Sequence, residues 1–305
     1  MKTLRHTIAP EEEGRMVKQI ARGAMGASHR LFSQVKFAGG VLLDGERALA
    51  NARVRAGQVL ELRLAEEAAP EADATHPAGA VNIVYEDEDL FVVDKCAPLP
   101  CQSSARQTGD TLEARMRAQM PGWTFRPVNR LDKGTSGLMV VARHAHAQDA
   151  LQRDLHTDDF VREYLAVVEG APQAEEGWID APIRKAAGAT IRREVGEGGQ
   201  KARTHFCVEK RGALSLVRLR LLTGRTHQIR VHMAYIGCPV FGDFLYGAES
   251  PRLPGRFALH SAYIAFRHPE SGERMAFASP LPEELARLLI EDAALERAAR
   301  SEDVF

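Results

Sequence analysis

Cysteine is scarce in this chain, and the four present do not assemble a metal site. Cys96 and Cys101 lack the short spacing of a zinc knuckle, Cys207 and Cys238 stand apart, and no histidine cluster completes a set. They read as reduced thiols, so a cytoplasmic protein without metal or cofactor is the expectation. Long apolar runs are also missing. No stretch approaches the ~18 apolar residues of a membrane span, and the N-terminus lacks the apolar core of a signal peptide. Net charge is nearly absent: 40 Lys and Arg against 41 Asp and Glu leave -1. That balance argues against a uniformly basic nucleic-acid binder.

The charge is unevenly spread. Residues 181–235 hold 12 Lys or Arg and 3 Asp or Glu, a local excess of +9 that the rest of the chain offsets. A basic segment between acidic ends is the footprint of localised polyanion binding. At 305 residues and 45% hydrophobic composition, the chain is long enough for two domains with a sizeable core.

Residues 1–64 read as a small α+β unit. Apolar spacing predicts helices over Val17–Ile20 and Leu31–Phe37, stopped by Gly39-Gly40. A strand over Val41–Leu43 enters the Asp44-Gly45 turn, and Val59–Leu64 alternates as a closing strand. Residues 65–80, rich in Ala, Glu and Pro, read as a linker. A second domain over 81–292 opens with strands at Val81–Tyr85 and Leu90–Asp94. An Asp110-Thr111 cap then starts a helix to about Met120, and another helix covers about Ala145–Leu155. Strands follow near 162–169, 203–209 and 214–222, then a helix over about 226–236. From Leu281 the chain predicts an amphipathic helix ending in a loose polar tail over 293–305. Mixed strands and helices favour an α+β fold over a doubly wound sheet.

The richest stretch is Asn129-Arg130-Leu131-Asp132-Lys133-Gly134-Thr135-Ser136-Gly137-Leu138. It sets a carboxylate beside an arginine, then a small-residue turn, then the apolar run Leu138–Ala142, which reads as a buried strand. Two further segments accompany it: Arg162-Glu163-Tyr164-Leu165-Ala166, and Thr223-Gly224-Arg225-Thr226-His227-Gln228-Ile229-Arg230-Val231-His232. Gly237-Cys238-Pro239-Val240-Phe241-Gly242-Asp243 follows the second of these. In this order the three segments resemble the signatures of the RluA-type RNA pseudouridine synthases over roughly residues 81–290. Departures fall at Asn129 (usually His), Gly134 (usually acidic) and Arg162 (often Lys). The first 64 residues resemble, more weakly, the small S-four RNA-binding domain that precedes such catalytic domains.

The resemblance implies a mixed, mainly antiparallel sheet with flanking helices. It also implies isomerisation of uridine to pseudouridine in structured RNA, ribosomal RNA ahead of tRNA, by a monomer without cofactor. Asp132 would be the catalytic carboxylate, either attacking the sugar or removing a sugar proton. Arg230 would be its ion-pair partner, with Arg225 as the alternative. Tyr164 would stack on the uracil, and Arg130 would fill the gap left by the flipped nucleotide. Arg184, Lys185 and Arg203, with Arg192, Arg193 and Lys201, are candidate phosphate contacts. His227 and His232, about 140° apart on a helix, make a poor metal pair. They read as hydrogen-bonded structural residues, with His227 also a candidate RNA contact.

Two other functions compete with this reading. A non-catalytic RNA-binding or ribosome-assembly factor would have little reason to retain Asp132, Tyr164 and Arg230 together. A glycoside or nucleoside hydrolase would ordinarily need two carboxylates, and these segments offer one. Gly134-Thr135-Ser136-Gly137 is not a nucleophile elbow, because Leu138 stands where that motif needs glycine. Ser136 reads as a residue shaping the loop that holds Asp132.

Overall fold

The computed structural model describes residues 2–64, 79–103 and 109–302, with side chains as far as residue 294. Of the expected linker, residues 65–78 lie outside the described residues.

The N-terminal unit runs β1 (Thr3–Thr7), α1 (Val17–Arg22), α2 (His29–Phe37), β2 (Val41–Leu43), β3 (Glu46–Arg47) and β4 (Val59–Arg63). Its sheet is antiparallel in the order β1-β4-β2-β3. Ser28 caps α2 by accepting the Leu31 N–H at 3.1 Å. Asp44 and Gly45 both have positive φ, the condition for the tight turn joining β2 to β3. Ile20, Leu31, Val35, Leu60 and Leu62 close a small separate core. β1 had no signature in the sequence. Of its five residues only Leu4 is buried, so no period-two pattern shows.

The second unit contributes β5 (Asn82–Glu86), β6 (Leu90–Lys95), α3 (Leu112–Gln119), β7 (Arg126–Pro127), β8 (Ser136–Ala142), α4 (Ala145–Asp154) and β9 (Val161–Glu169). Then come β10 (Glu176–Asp180), β11 (Ile183–Lys185), β12 (Arg193–Val195), β13 (Arg203–Lys210) and β14 (Leu214–Leu221). The remaining elements are α5 (Gln228–Tyr235), β15 (Leu259–Arg267), β16 (Arg274–Ala278) and α6 (Glu283–Glu302). A ten-stranded sheet has the path β10-β13-β14-β9-β15-β8-β6-β5, with β16 beside β15 and β7 beside β8. Its pairs are antiparallel except β15 with β8, which run parallel through His260–Ser136 and Ser261–Gly137. The fold is therefore α+β, as the sequence implied. Strands β15 and β16 and the short hairpin β11–β12 were not anticipated. α6 continues through Glu302, across the position where a loose tail was expected.

β8 explains its own apolar run, because all seven of its residues are buried. Met139 and Val141 face a core with Phe91 and Val93. Leu138 and Val140 face the opposite core, with Val92 and with Leu151 of α4. A strand covered on both faces reads as continuous rather than alternating. This rigid central strand carries the preceding loop, residues 129–135, at its entrance.

The two units touch. The Lys2 ammonium donates to Asp89 at 2.9 Å, and His144, the N-cap of α4, bonds the same carboxylate oxygen at 2.7 Å. Ala145 packs onto the small unit's core. Among the described residues, no helix is long and apolar enough to cross a membrane.

Candidate active site

The loop before β8 is fixed at almost every residue. Asn129 is buried and accepts the Val140 N–H on Oδ1 at 3.0 Å. The Leu131 backbone is clasped by the Cys101 thiol, and Lys133 O accepts the Leu99 N–H at 2.9 Å. Thr135 N–H turns back to Asp132 O at 3.1 Å. The Ser136 hydroxyl accepts from Arg256 at 3.0 Å and bonds His260 Nδ1 at 2.9 Å. It anchors the loop, as its position suggested. Gly137 has φ +106°, and a Cβ there would lie 2.3 Å from the Ser261 carbonyl oxygen. Only glycine permits β8 to run this close to β15.

So held, the Asp132 side chain stays 29% exposed at the mouth of a cleft. Its Oδ2 accepts from Arg230 Nη1 at 3.0 Å. Arg230 leaves the first turn of α5 and is itself buried. Its other edge makes a two-pronged bond to Asp243, Nε to Oδ2 at 2.6 Å and Nη2 to Oδ1 at 2.8 Å. Burial disfavours the Arg230 charge. The hydrogen bonds to Asp243 and the fields of Asp132 and Asp243 outweigh that, so its pKa is raised and the cation is permanent. Phe257 stacks 4.1 Å from the guanidinium carbon, and Tyr246 lies 5.0 Å from it. Phe257 can reach this place because residue 134 has no side chain: a Cβ on Gly134 would sit 2.7 Å from the Phe257 ring.

Asp243 was the site residue missed. It stood in a quoted segment with no role. A buried arginine facing one exposed carboxylate needs a further buried acceptor. Sequence could have posed that requirement without naming which acid meets it.

Tyr164, on β9, is buried against the cleft floor, and its hydroxyl bonds the Ser261 side chain. Burial raises its pKa, so the phenol remains protonated at neutral pH. Gln228 satisfies the loop before α5 completely. Its carbonyl accepts from Thr223 Oγ1 and Arg225 N–H, and its amide donates to Arg203 O and Thr204 Oγ1.

His227 is the left-handed N-cap residue of α5, with φ +58°, so the helical projection does not apply to it. Its ring turns into the cleft, with Nε2 4.0 Å from Asp132 Oδ2 and Nδ1 bonded to the Tyr246 hydroxyl at 2.8 Å. His232 is fully buried between Thr204 Oγ1 and Ala181 O, both at 2.9 Å. The pKa values of His227, His232 and His260 are all lowered, chiefly by burial. Their folded values lie below the ordinary ~6.5, so in that window the unfolded chain binds more protons. Stability is therefore full above about pH 6.5 and falls as pH drops below it. Urea midpoints measured near pH 7.5 and near pH 5.5 are expected to differ, with the lower midpoint in acid. An unchanged midpoint would mean these rings are not held neutral.

The arrangement sets one carboxylate against a fixed cation in a cleft of about 940 Å³ that Tyr164 also lines. The RNA pseudouridylate synthase family model matches residues 89–235. The uncharacterized RNA pseudouridine synthase YjbO of Bacillus subtilis is 38% identical over 279 residues, covering 90% of this chain and 98% of that protein. The chain belongs to the RNA pseudouridine synthases. A ribosomal large subunit pseudouridine synthase D from Xanthomonas campestris is 37% identical, covering 90% of this chain and 87% of that one. Among solved structures, human RNA Pseudouridylate Synthase Domain Containing 1 superposes with TM-score 0.56 at 28% identity. The match covers 72% of this chain and 98% of the human one.

For a pseudouridine synthase, the cleft gathers five of the residues singled out from sequence: Arg130, Asp132, Tyr164, Arg225 and His227 all line it. Arg230 reaches it through Asp132. Arg225, the alternative partner for Asp132, instead donates its Nε to Lys201 O at 3.0 Å, and Arg230 takes the carboxylate. Arg184 and Lys185 lie on β11, where Arg184 pairs with Glu194 at 2.9 Å. Arg203 stacks on Trp178 at 4.2 Å. These three do not line the cleft. Part of the +9 excess is met by acids outside the segment: Arg230 by Asp132 and Asp243, Arg211 by Glu175, Arg203 by Asp180. Charge counted along the chain is not charge in space.

Proposed function

We propose that this pseudouridine synthase isomerises uridines of large-subunit ribosomal RNA, with Asp132 as the catalytic carboxylate. The observation that carries this is the Asp132–Arg230–Asp243 relay. A carboxylate is held at 3.0 Å from a permanent cation that is itself anchored from behind, at the open end of a cleft floored by Tyr164. The preference for ribosomal RNA rests on the relatives named for the ribosomal large subunit.

Uridine becomes pseudouridine by breaking the bond from N1 to the sugar, turning the base and joining C5 to the sugar, with the C5 proton passing to water and N1 taking up a proton in exchange. No group is added. In either route for the carboxylate, attack on the sugar or removal of a sugar proton, Asp132 is the acting group, and Arg230 pairs with it at 3.0 Å. Tyr164 holds the uracil by its face, which leaves in-plane rotation free. Arg130, exposed at the cleft edge, fills the stack vacated by the flipped nucleotide. The N-terminal unit acts as an RNA-binding module: Arg30, Leu31 and Gln34 of α2 form part of the cleft wall, so RNA entering the cleft meets both units.

Tritium placed at uracil C5 tests this reading. Unmodified large-subunit ribosomal RNA is expected to release it to water faster than bulk tRNA does. Equal or faster release from tRNA would overturn the ribosomal assignment, and no release from either would overturn the activity on free RNA.

A further inference from the structure

Among the described residues, Arg162 is a cation without an anion. It lies on β9 two residues before Tyr164, so both side chains leave the same face of the strand. It is 4% exposed, and among the described residues no carboxylate pairs with it. Its Nη2 donates to the Leu155 carbonyl at the end of α4, at 3.0 Å. Its Nε is buried with no partner at all. A buried arginine ordinarily costs stability unless it is matched, and every other buried arginine here is: Arg230 by two aspartates, Arg256 by Glu284 and Ser136.

A second cation and a neutral imidazole stand near it. Arg225 and His156 lie close enough that both Arg162 and Arg225 lower the His156 pKa, after burial. All three line the catalytic cleft. Gly224 leaves the guanidinium edge uncovered, since a Cβ there would sit 2.9 Å from Nη1. Two residues of extended strand span roughly 6.6 Å, the scale of one nucleotide from base to phosphate.

We propose that Arg162, with Arg225 and His156 beside it, forms a phosphodiester subsite for the RNA backbone next to the uridine held on Tyr164. This rests on the reading of the cleft as the catalytic one. The charge is left unmatched in the free protein because its partner arrives with the substrate. A planar fork suits a phosphate's two free oxygens.

The test reads binding rather than turnover. A fluorescein-labelled oligouridylate is titrated across a potassium chloride series with wild type, Arg162→Met, Arg162→Lys and Gly224→Val. Each single-strand phosphate contact contributes about 0.7 to the slope of log affinity against log salt. Arg162→Met is expected to lose that increment and to melt no lower than wild type, while Arg162→Lys keeps it. Gly224→Val, which covers the guanidinium without removing it, is expected to lose it too. An oligouridylate with uncharged methylphosphonate linkages should bind wild type and Arg162→Met alike. Equal slopes for wild type and Arg162→Met overturn the proposal. Where Arg162→Met does not fold, a wild-type slope for Gly224→Val overturns it instead. Tritium release separates the two readings. Different slopes with no turnover of any RNA would sink the catalytic reading and leave the anion site standing. Normal turnover with equal slopes would do the reverse.

Discussion

Asp132→Asn is expected to lower pseudouridine formation by more than about 1,000-fold without weakening RNA binding. The substitution keeps shape and hydrogen bonding but removes the charge that both chemical routes require. It leaves the fold intact, because Arg230 keeps its two bonds to Asp243. It also takes a negative charge out of a cleft lined by Arg130, Arg162 and Arg225, so RNA affinity should hold or rise slightly. Tritium release and filter binding on the same preparation decide it. Wild-type turnover in the mutant would remove Asp132 from the chemistry, and lost affinity would make its role structural.

The second large effect falls on the fold. Arg230→Met leaves Asp243, fully buried, as an anion with no cation. Breaking such a pair typically costs about 3–5 kcal/mol. Much of that loss comes from the stranded partner, so adding Asp243→Leu should return a large part of the stability. Turnover should not return, because Asp132 still lacks its cation. Urea denaturation of wild type, the single variant and the double variant gives the stabilities, and tritium release gives the activities. Full activity in the stable double variant would show that Asp132 does not depend on Arg230. A double variant no more stable than the single one would show that the buried pair is not what the fold loses.

The residues that meet at this cleft were legible because they sit in short contiguous stretches. Asp132 lies in a small-residue turn before an apolar strand, Tyr164 on a strand, and Arg230 four residues after a Gly-Arg-Thr turn. What supports those residues was not legible, because each support is a contact made by folding. Asp243 meets Arg230 across a turn. Phe257 fills the space that Gly134 vacates. Asn129 holds its loop by an amide carbonyl aimed at β8. Strand β1 escaped notice for a different reason: one buried residue in five gives no period to read. The basic segment was visible, but not how its charges are placed in space. Arg203, Arg211 and Arg230 are tied to acids outside it, and of the arginines that line the cleft Arg225 lies inside it while Arg30, Arg130 and Arg162 lie outside.

The parallel junction of β8 with β15 has a consequence for how the enzyme comes into being. Ser136 and His260, bonded at that junction, stand 124 positions apart. Contacts of such separation form late, because the intervening chain must be ordered first. A polypeptide emerging from the ribosome therefore exposes Asp132, Tyr164 and Arg230 well before the strand that steadies them has been made. The cleft is completed near the end of synthesis, and a chain cut short before Leu259 would carry these three residues without the strand that braces them.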